Sequence, residues 1–404
     1  MKDLAKSGWV DCTLGDVLAL VRNGLNCKQN KDGVGAAISR IETIATGEFN
    51  LERIGYSEIS KQDREKFLLR RGDILFSHIN SPPHIGKSAV LHEDADLIHG
   101  VNLLLFRPFE KVDPYFLQLF LNTLYVSGYW RGMCKQSVNQ ASVNQKDIKK
   151  VPFSYPPLEE QQRIVAVLDE AFEGLARART HAEANLQNAR ELFESYLAAA
   201  FLGEEAGWEV CELNEHVRFI DYRGKTPPKT ESGIRLITAK NVKMGYIQRE
   251  PEEFILESAY EGWMTRGFPK LGDVLFTTEA PLANVAQLDT EETVVIGQRL
   301  ITMQADQEVI LPEFLKFSLM SPPMQSEIHT RGTGATVVGI KAKLLKTVPL
   351  RFPRNLDRQR TIAANCQSAY DNMERLEETF RSKLQDIDDL RQSLLQKAFA
   401  GELT

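Results

Sequence analysis

The apolar positions of this chain follow two regimes that alternate twice. In residues 1–156 short apolar runs are broken by glycine and proline. Val17-Leu18-Ala19-Leu20-Val21, Ile74-Leu75-Phe76 and Asn102-Leu103-Leu104-Leu105-Phe106 read as strands on that ground. Asp113-Pro114 puts an acceptor at an N-cap and proline in the first turn, which predicts a helix with Phe116, Leu119, Phe120 and Leu124 as its apolar stripe. Pro312, Phe314, Leu315 and Leu319 repeat that pattern. From Leu158 to Phe201 the regime changes: there is no proline, Gly174 is the one interior glycine, and helix formers dominate. Glu159 and Glu160 favour the positive end of a helix, and Gly203 stands where a C-terminal stop is expected. The predicted helix has about 44 residues and is about 66 Å long at 1.5 Å per residue.

The alternation is a duplication. Gly8-Trp9-Val10-Asp11-Cys12-Thr13-Leu14 returns as Gly207-Trp208-Glu209-Val210-Cys211-Glu212-Leu213, an offset of 199. Gly72-Asp73-Ile74-Leu75-Phe76 returns as Gly272-Asp273-Val274-Leu275-Phe276, offset by 200. Leu158-Glu159-Glu160-Gln161 matches Leu356-Asp357-Arg358-Gln359, and Ala200-Phe201 matches Ala398-Phe399, both offset by 198. Matches in one order at a nearly constant offset mark a tandem repeat. The expected units are 1–156 (globular), 157–206 (long helix), 207–354 (globular) and 355–404 (long helix).

Each long helix carries an apolar seam with steps of three and four. Leu168, Leu175, Asn185 and Leu192 lie on the first; Met373, Leu376, Phe380, Lys383, Ile387 and Leu390 lie on the second. The first seam is rich in alanine and the second in larger side chains, so the two suit each other better than either suits itself. Asn185 and Lys383 would fix register. The expected fold class is therefore α+β: a tandem repeat of two strand-rich domains, each followed by a long helix, the helices pairing as an antiparallel coiled coil.

Composition narrows the function. The net charge of −6 is concentrated on the first helix segment, 157–206, while both globular units are near neutral. A polyanion would meet the globular units rather than the helices. No apolar run approaches the roughly 18 residues that span a bilayer, and the N-terminus carries no secretory h-region. Five cysteines without a C-x-x-C pair fit reduced thiols and a cytoplasmic location. Gly86-Lys87-Ser88 lacks the upstream glycine of a phosphate loop, and the second half has no counterpart. Asn80-Ser81-Pro82-Pro83 does not form a methyltransferase loop. His78, His84, His92 and His99 cluster without ligand spacing, so no metal is expected. No nucleophile–base pattern stands out, and the chain reads as non-catalytic.

The informative loops follow the first strand of each half. Basic and amide side chains on glycine-bearing loops suit phosphates and base edges. On that ground the candidates for DNA contact in the first half are Arg22, Asn23, Lys28, Arg40, His78, Asn80, Lys87 and Asn144. In the second they are Tyr222, Arg223, Lys225, Thr226, Lys229, Lys240, Asn241, Thr278 and Thr336. The loops after the first strands are equivalent in position and differ in sequence, so one scaffold presents two polar surfaces.

These residues resemble the specificity subunit of type I restriction–modification enzymes. The resemblance rests on Trp9…Leu14-Gly15-Asp16-Val17, on Gly72-Asp73-Ile74-Leu75-Phe76, on Val151-Pro152-Phe153-Ser154-Tyr155-Pro156-Pro157-Leu158-Glu159-Glu160-Gln161, and on the terminal Gln396-Lys397-Ala398-Phe399-Ala400-Gly401-Glu402-Leu403. The second copy departs at Arg351-Phe352-Pro353-Arg354-Asn355, which lacks the double proline. The resemblance implies that each globular unit is a target-recognition domain for half of an asymmetric, split DNA site, with the helices as spacer. It implies two copies of an adenine methyltransferase subunit and restriction/translocase subunits as partners. S-adenosylmethionine and ATP would bind those partners, and no cofactor this chain. The rival reading is a coiled-coil scaffold that recruits proteins and does not bind DNA.

Overall fold

The computed structural model describes residues 8–137, 140–202, 207–222, 227–334 and 336–403. They form two compact units, Met1–Ala182 with Ser382–Thr404, and Glu183–Arg381. The Gly203 stop lies outside the described residues. Its counterpart Gly401 takes φ 76°, and Glu402 donates its amide to the Lys397 carbonyl at 2.9 Å, the expected helix end.

In the first unit a four-stranded antiparallel sheet has the order Leu18–Asn23, Leu104–Pro108, Ile74–Phe76, Ser88–Val90. A second sheet sets Ala36–Ile38 between antiparallel Gly55–Ser57 and parallel Leu97–Ile98. The outermost strands of the globular part, Val10–Thr13 and Pro152–Tyr155, pair with each other, so the domain closes before the long helix begins. The run Val17–Val21 enters its strand one residue late. Thr13 donates its amide and hydroxyl to the Asp16 carboxylate (2.9 and 2.7 Å), which winds Leu14–Val17 into one helical turn. The run Asn102–Phe106 likewise becomes strand at Leu104, because Asn102 turns through φ 73°. Asp113 accepts from the Tyr115 and Phe116 amides (2.8 and 3.1 Å) and starts helix Pro114–Val126, which buries Phe116 and Leu119.

The second unit repeats these two sheets and the closing strand pair. Val217–Asp221, Leu300–Ala305, Val274–Thr278 and Leu282–Gln287 form its four-stranded sheet. Ile234–Ile237 lies between antiparallel Phe254–Ile255 and parallel Val294–Ile296, and Trp208–Glu212 pairs with Pro349–Pro353. Two motifs acquire a reason. Asp73 is buried, caps the Arg70 amide and takes a two-pronged bond from Arg107 (2.6 and 2.7 Å). Its counterpart Asp273 caps Lys270 at 2.8 Å but faces Gln304 instead of arginine, and burial pushes its carboxyl above the usual range. Gln161 is fully buried: its Oε1 accepts from the Asp113 amide (2.8 Å), and its Nε2 donates to the carbonyls of Lys111 and Pro156 (3.1 and 2.8 Å). Gln359 repeats all three bonds on Leu311, Val309 and Pro353.

The long helices are Leu158–Leu202 and Leu356–Ala400, each of 45 residues. Within each unit they run antiparallel. In the first unit Arg163 donates to the Leu403 carbonyl (2.9 Å), Arg391 covers the Phe172 ring at 4.6 Å, and Arg179 pairs with Asp388. In the second Arg190 pairs with Glu377, and Phe193 meets Tyr370 edge-on at 5.5 Å. The heptad assignment needs correction at five positions. Leu192, Leu376 and Leu390 are 68%, 42% and 49% exposed, Asn185 and Lys383 are exposed, and Leu175, Met373, Phe380 and Ile387 are half-buried. Of the seam residues proposed from the heptads as markers, Leu168 alone is fully buried. The buried apolar positions are Ile164, Leu168, Ala182, Ala189, Phe193, Leu197 and Phe201 in one helix, and Ala363, Cys366, Tyr370, Leu395 and Ala398 in the other; Leu168, Ala182, Ala189 and Cys366 among them keep the heptad steps, and the rest lie off them. A straight helix drifts about 20° per heptad from a 3.5-residue repeat. Two helices also cover only part of each other, so full burial occurs where a domain packs on them too.

Candidate nucleic-acid interface

In the second unit the polar loops border two adjoining hollows. The smaller, about 160 Å³, is lined by Pro227, Lys229, Lys240, Glu253, Gln298 and Arg299 among others. The larger, about 430 Å³, includes Thr278, Glu279, Gln298, Arg299, Thr333 and Lys341. Residues 298–299 line both hollows. Three of the cations here are tethered to acids: Lys229 reaches Glu253 at 2.8 Å, Lys240 the same carboxylate at 3.6 Å, and Arg299 reaches Glu279 at 2.9 Å. The hydrogen bond from Lys229 holds the Glu253 carboxyl below the usual range. Lys240 is the looser and more exposed of the two lysines, so it can turn to a phosphate at little cost.

Several residues expected to touch DNA hold the loops instead. Asn241 is buried; its Oδ1 accepts from the Thr238 amide and hydroxyl (both 3.0 Å), and its Nδ2 donates to the carbonyls of Gln248 (3.2 Å) and Pro251 (3.0 Å). All its polar capacity is spent on two turns. Tyr222 is buried, with its hydroxyl accepting from the amides of Arg266 and Gly267 and donating to the Gly267 carbonyl. Thr278 is buried and bonds the Arg299 carbonyl. Thr336 is exposed. Arg223, Lys225 and Thr226 lie outside the described residues.

The first unit divides the same way. Asn23, the last residue of strand Leu18–Asn23, and Lys28, on the loop after it, are exposed. Arg40 is half-exposed and pairs with Glu42 at 3.4 Å. Arg22 is partly buried, with its guanidinium 5.0 Å above the Phe67 ring and its Nε without a partner; desolvation lowers its pKa. Asn80 bonds Ser77 and Ser81 and sits on strand Ile79–Asn80, which pairs with the hairpin of Lys135–Ser137 and Gln140–Ser142. Asn144 caps helix Gln145–Lys149, accepting from the Asp147 amide at 2.9 Å. The Lys87 ammonium donates to the Ala45 carbonyl. Gly86 lies against the Trp130 ring and Ser88 opens a strand, so this glycine–lysine–serine run forms no phosphate loop. His78 is buried with its Nδ1 unpartnered, and burial pushes it down to about 4; His99 shares that value. Both are neutral core residues at pH 7. Among the described residues no group of three or more His, Cys, Asp or Glu side chains could hold a metal.

The loops above the shared scaffold diverge in structure as well as sequence. His78 and Thr278 occupy equivalent places, their carbonyls accepting from Val143 and Ile340 (both 2.9 Å). Next to them the first unit carries a three-stranded sheet, whereas among the described residues the second has only bridges Glu279–Gly339 and Thr333–Gly339. Arg299, Gln298 and Lys341 are cleft residues that sequence reasoning missed. Aligning Gly100-Val101-Asn102 with Gly297-Gln298-Arg299 would have found the first two.

A sequence profile described as the type I restriction modification DNA specificity domain matches residues 6–184. The MjaX type I restriction enzyme specificity subunit of Methanocaldococcus jannaschii is 31% identical, over 98% of this chain and 93% of that one. The EcoKI specificity subunit of Escherichia coli is 28% identical over 46% of this chain and 41% of its own length. Among solved structures, a chain from a study of complex assembly in a type I R-M system has the same fold, with TM-score 0.77, 21% identity and 98% of each chain covered. The HsdS subunit of Thermoanaerobacter tengcongensis superposes with TM-score 0.60 and 20% identity, over 98% of this chain and 97% of that one.

Proposed function

We infer the function from one premise: the chain belongs to the family of type I restriction–modification specificity subunits. Its task within such a system is choice of sequence rather than catalysis. We propose that each strand-rich domain reads one half of an asymmetric, split DNA site. The single observation that carries this reading is the repeat itself: two sheets with the same strand order support loops that differ in residues and in hydrogen bonding. Identical readers would demand a palindrome, and dissimilar ones demand an asymmetric site.

The long helices act as the spacer, which puts the half-sites about 34 Å or slightly more apart along the duplex. Near-neutral domains with lysines tethered to carboxylates predict weak DNA binding by this chain alone. Two copies of an adenine methyltransferase subunit supply most of the phosphate contacts, and restriction/translocase subunits join for cleavage. S-adenosylmethionine and ATP belong to those partners. The reading places the assembly in the cytoplasm; among the described residues no helix is long and apolar enough to cross a membrane.

Footprinting of a duplex with the chain and its co-expressed methyltransferase tests the proposal. Two short protected blocks with an open gap are expected, and Lys240→Ala should weaken the second block alone. Absence of protection at low salt would leave the DNA-independent scaffold as the better account.

A further inference from the structure

Four non-glycine residues among those described have a left-handed backbone: Asn102 (φ 73°), Ala280 (φ 50°), Ala283 (φ 67°) and Arg299 (φ 66°). In that region the Cβ of an L-residue crowds the carbonyl oxygen, and asparagine is among the few types that visit it often. Asn102 and Arg299 hold the same place in their units. Each stands two residues after a glycine and directly before an apolar pair, Leu103-Leu104 or Leu300-Ile301. Asparagine satisfies the backbone at 102. Arginine at 299 does not, and the fold holds it there: the Thr278 amide (2.8 Å) and hydroxyl (3.3 Å) both donate to the Arg299 carbonyl. Two residues earlier the chain is pressed onto the loop strand, where a Cβ on Gly297 would lie 3.1 Å from Thr238 Cγ2.

The side chain so placed is 52% exposed and lines both hollows. Its pairing with Glu279 does not account for the strain, because the glutamate is also 43% exposed and such pairs add little. Strained backbone that places an exposed polar side chain in a cleft points to recognition. Lys229, Lys240 and Lys341 offer point charges suited to phosphate, whereas Arg299 is the one arginine lining these hollows among the described residues.

We propose that Arg299 is the side chain with which the second domain reads a guanine, its two-pronged guanidinium donating to O6 and N7 in the major groove. Glu279 keeps the fork extended until the base takes its place. The inference rests on the DNA-reading function proposed above and adds to it one residue and one base.

The test selects from a randomised duplex pool with the full chain and its methyltransferase subunits, comparing wild type with Arg299→Asn and Arg299→Lys. Asparagine restores the residue of the first domain, which the backbone favours, and an unchanged melting temperature confirms its fold. Wild type should require guanine at one position of one half-site. Both variants should lose that preference by about ten-fold or more and leave the other half-site unchanged. Full retention by Arg299→Lys would reduce the contact to charge and overturn the proposal. So would an Arg299→Asn profile identical to wild type while the split site is still selected. A wild-type chain that selects no split site would defeat the DNA-reading function itself, and this inference with it.

Discussion

Replacing Gln161 with leucine keeps the volume of a fully buried side chain and removes three hydrogen bonds at once. The Asp113 amide loses its acceptor at 2.8 Å, and the carbonyls of Lys111 and Pro156 lose donors at 3.1 and 2.8 Å. A buried group left unpaired costs about 1–3 kcal/mol, and carbonyls with a second lone pair fall at the low end. The sum is roughly 3–5 kcal/mol. For a unit of this size each kcal/mol lowers the melting temperature by about 2–4 °C, so thermal unfolding should shift down by roughly 6–20 °C. Gln162→Leu, on the exposed neighbour, is the control and should stay within about 0.5 kcal/mol. Gln161→Glu should be no better at neutral pH, because its second oxygen would face two carbonyls, and it should recover partly when protonated. A Gln161→Leu chain that melts within about 2 °C of wild type would refute the stabilising role of these three bonds, and with it the reason for glutamine at the equivalent Gln359.

The buried stripe of the first helix sets a second contrast: Leu197→Ala should cost about 2–5 kcal/mol, whereas Leu192→Ala should cost under about 0.5, and the reverse order in urea unfolding would restore the heptad seam. Burial raises the folded pKa of Asp273 above the 3.8 of an ordinary aspartate, so the folded chain binds the extra proton. Its contribution to stability is present below 3.8 and lost as pH rises through the folded value. Gln304→Arg, which copies the Arg107 partner of Asp73, should remove that dependence, and denaturant midpoints measured across mildly acidic pH would show it. His78 and His99 are depressed to about 4 from 6.5, so the folded chain binds fewer protons between those values. Their contribution is present above pH 6.5 and lost as pH falls toward 4; an NMR titration in which either imidazole protonates near 6.5 would contradict their burial.

Much of the architecture was legible because its signals are local. The helix starting at Asp113-Pro114, the strand Ile74–Phe76 and both 45-residue helices follow from side chains a few positions apart. The repeat exposed the duplication, and the fold class follows from it. Gln161 and Asp73 were visible as recurring letters, but their roles were not, since their partners lie 48 and 34 residues away.

The sequence by itself determined that there are two domains and two rods, and which loops carry polar residues of different kinds. Only the tertiary structure decided which of those residues are free to meet a ligand. Asn241 and Tyr222 have the right chemistry but spend it on neighbouring backbone, whereas Arg299 looks unremarkable in the chain and stands exposed between two hollows. Periodicity and capping depend on neighbours in the chain, but a polar side chain's spare hydrogen bonds depend on every segment packed around it.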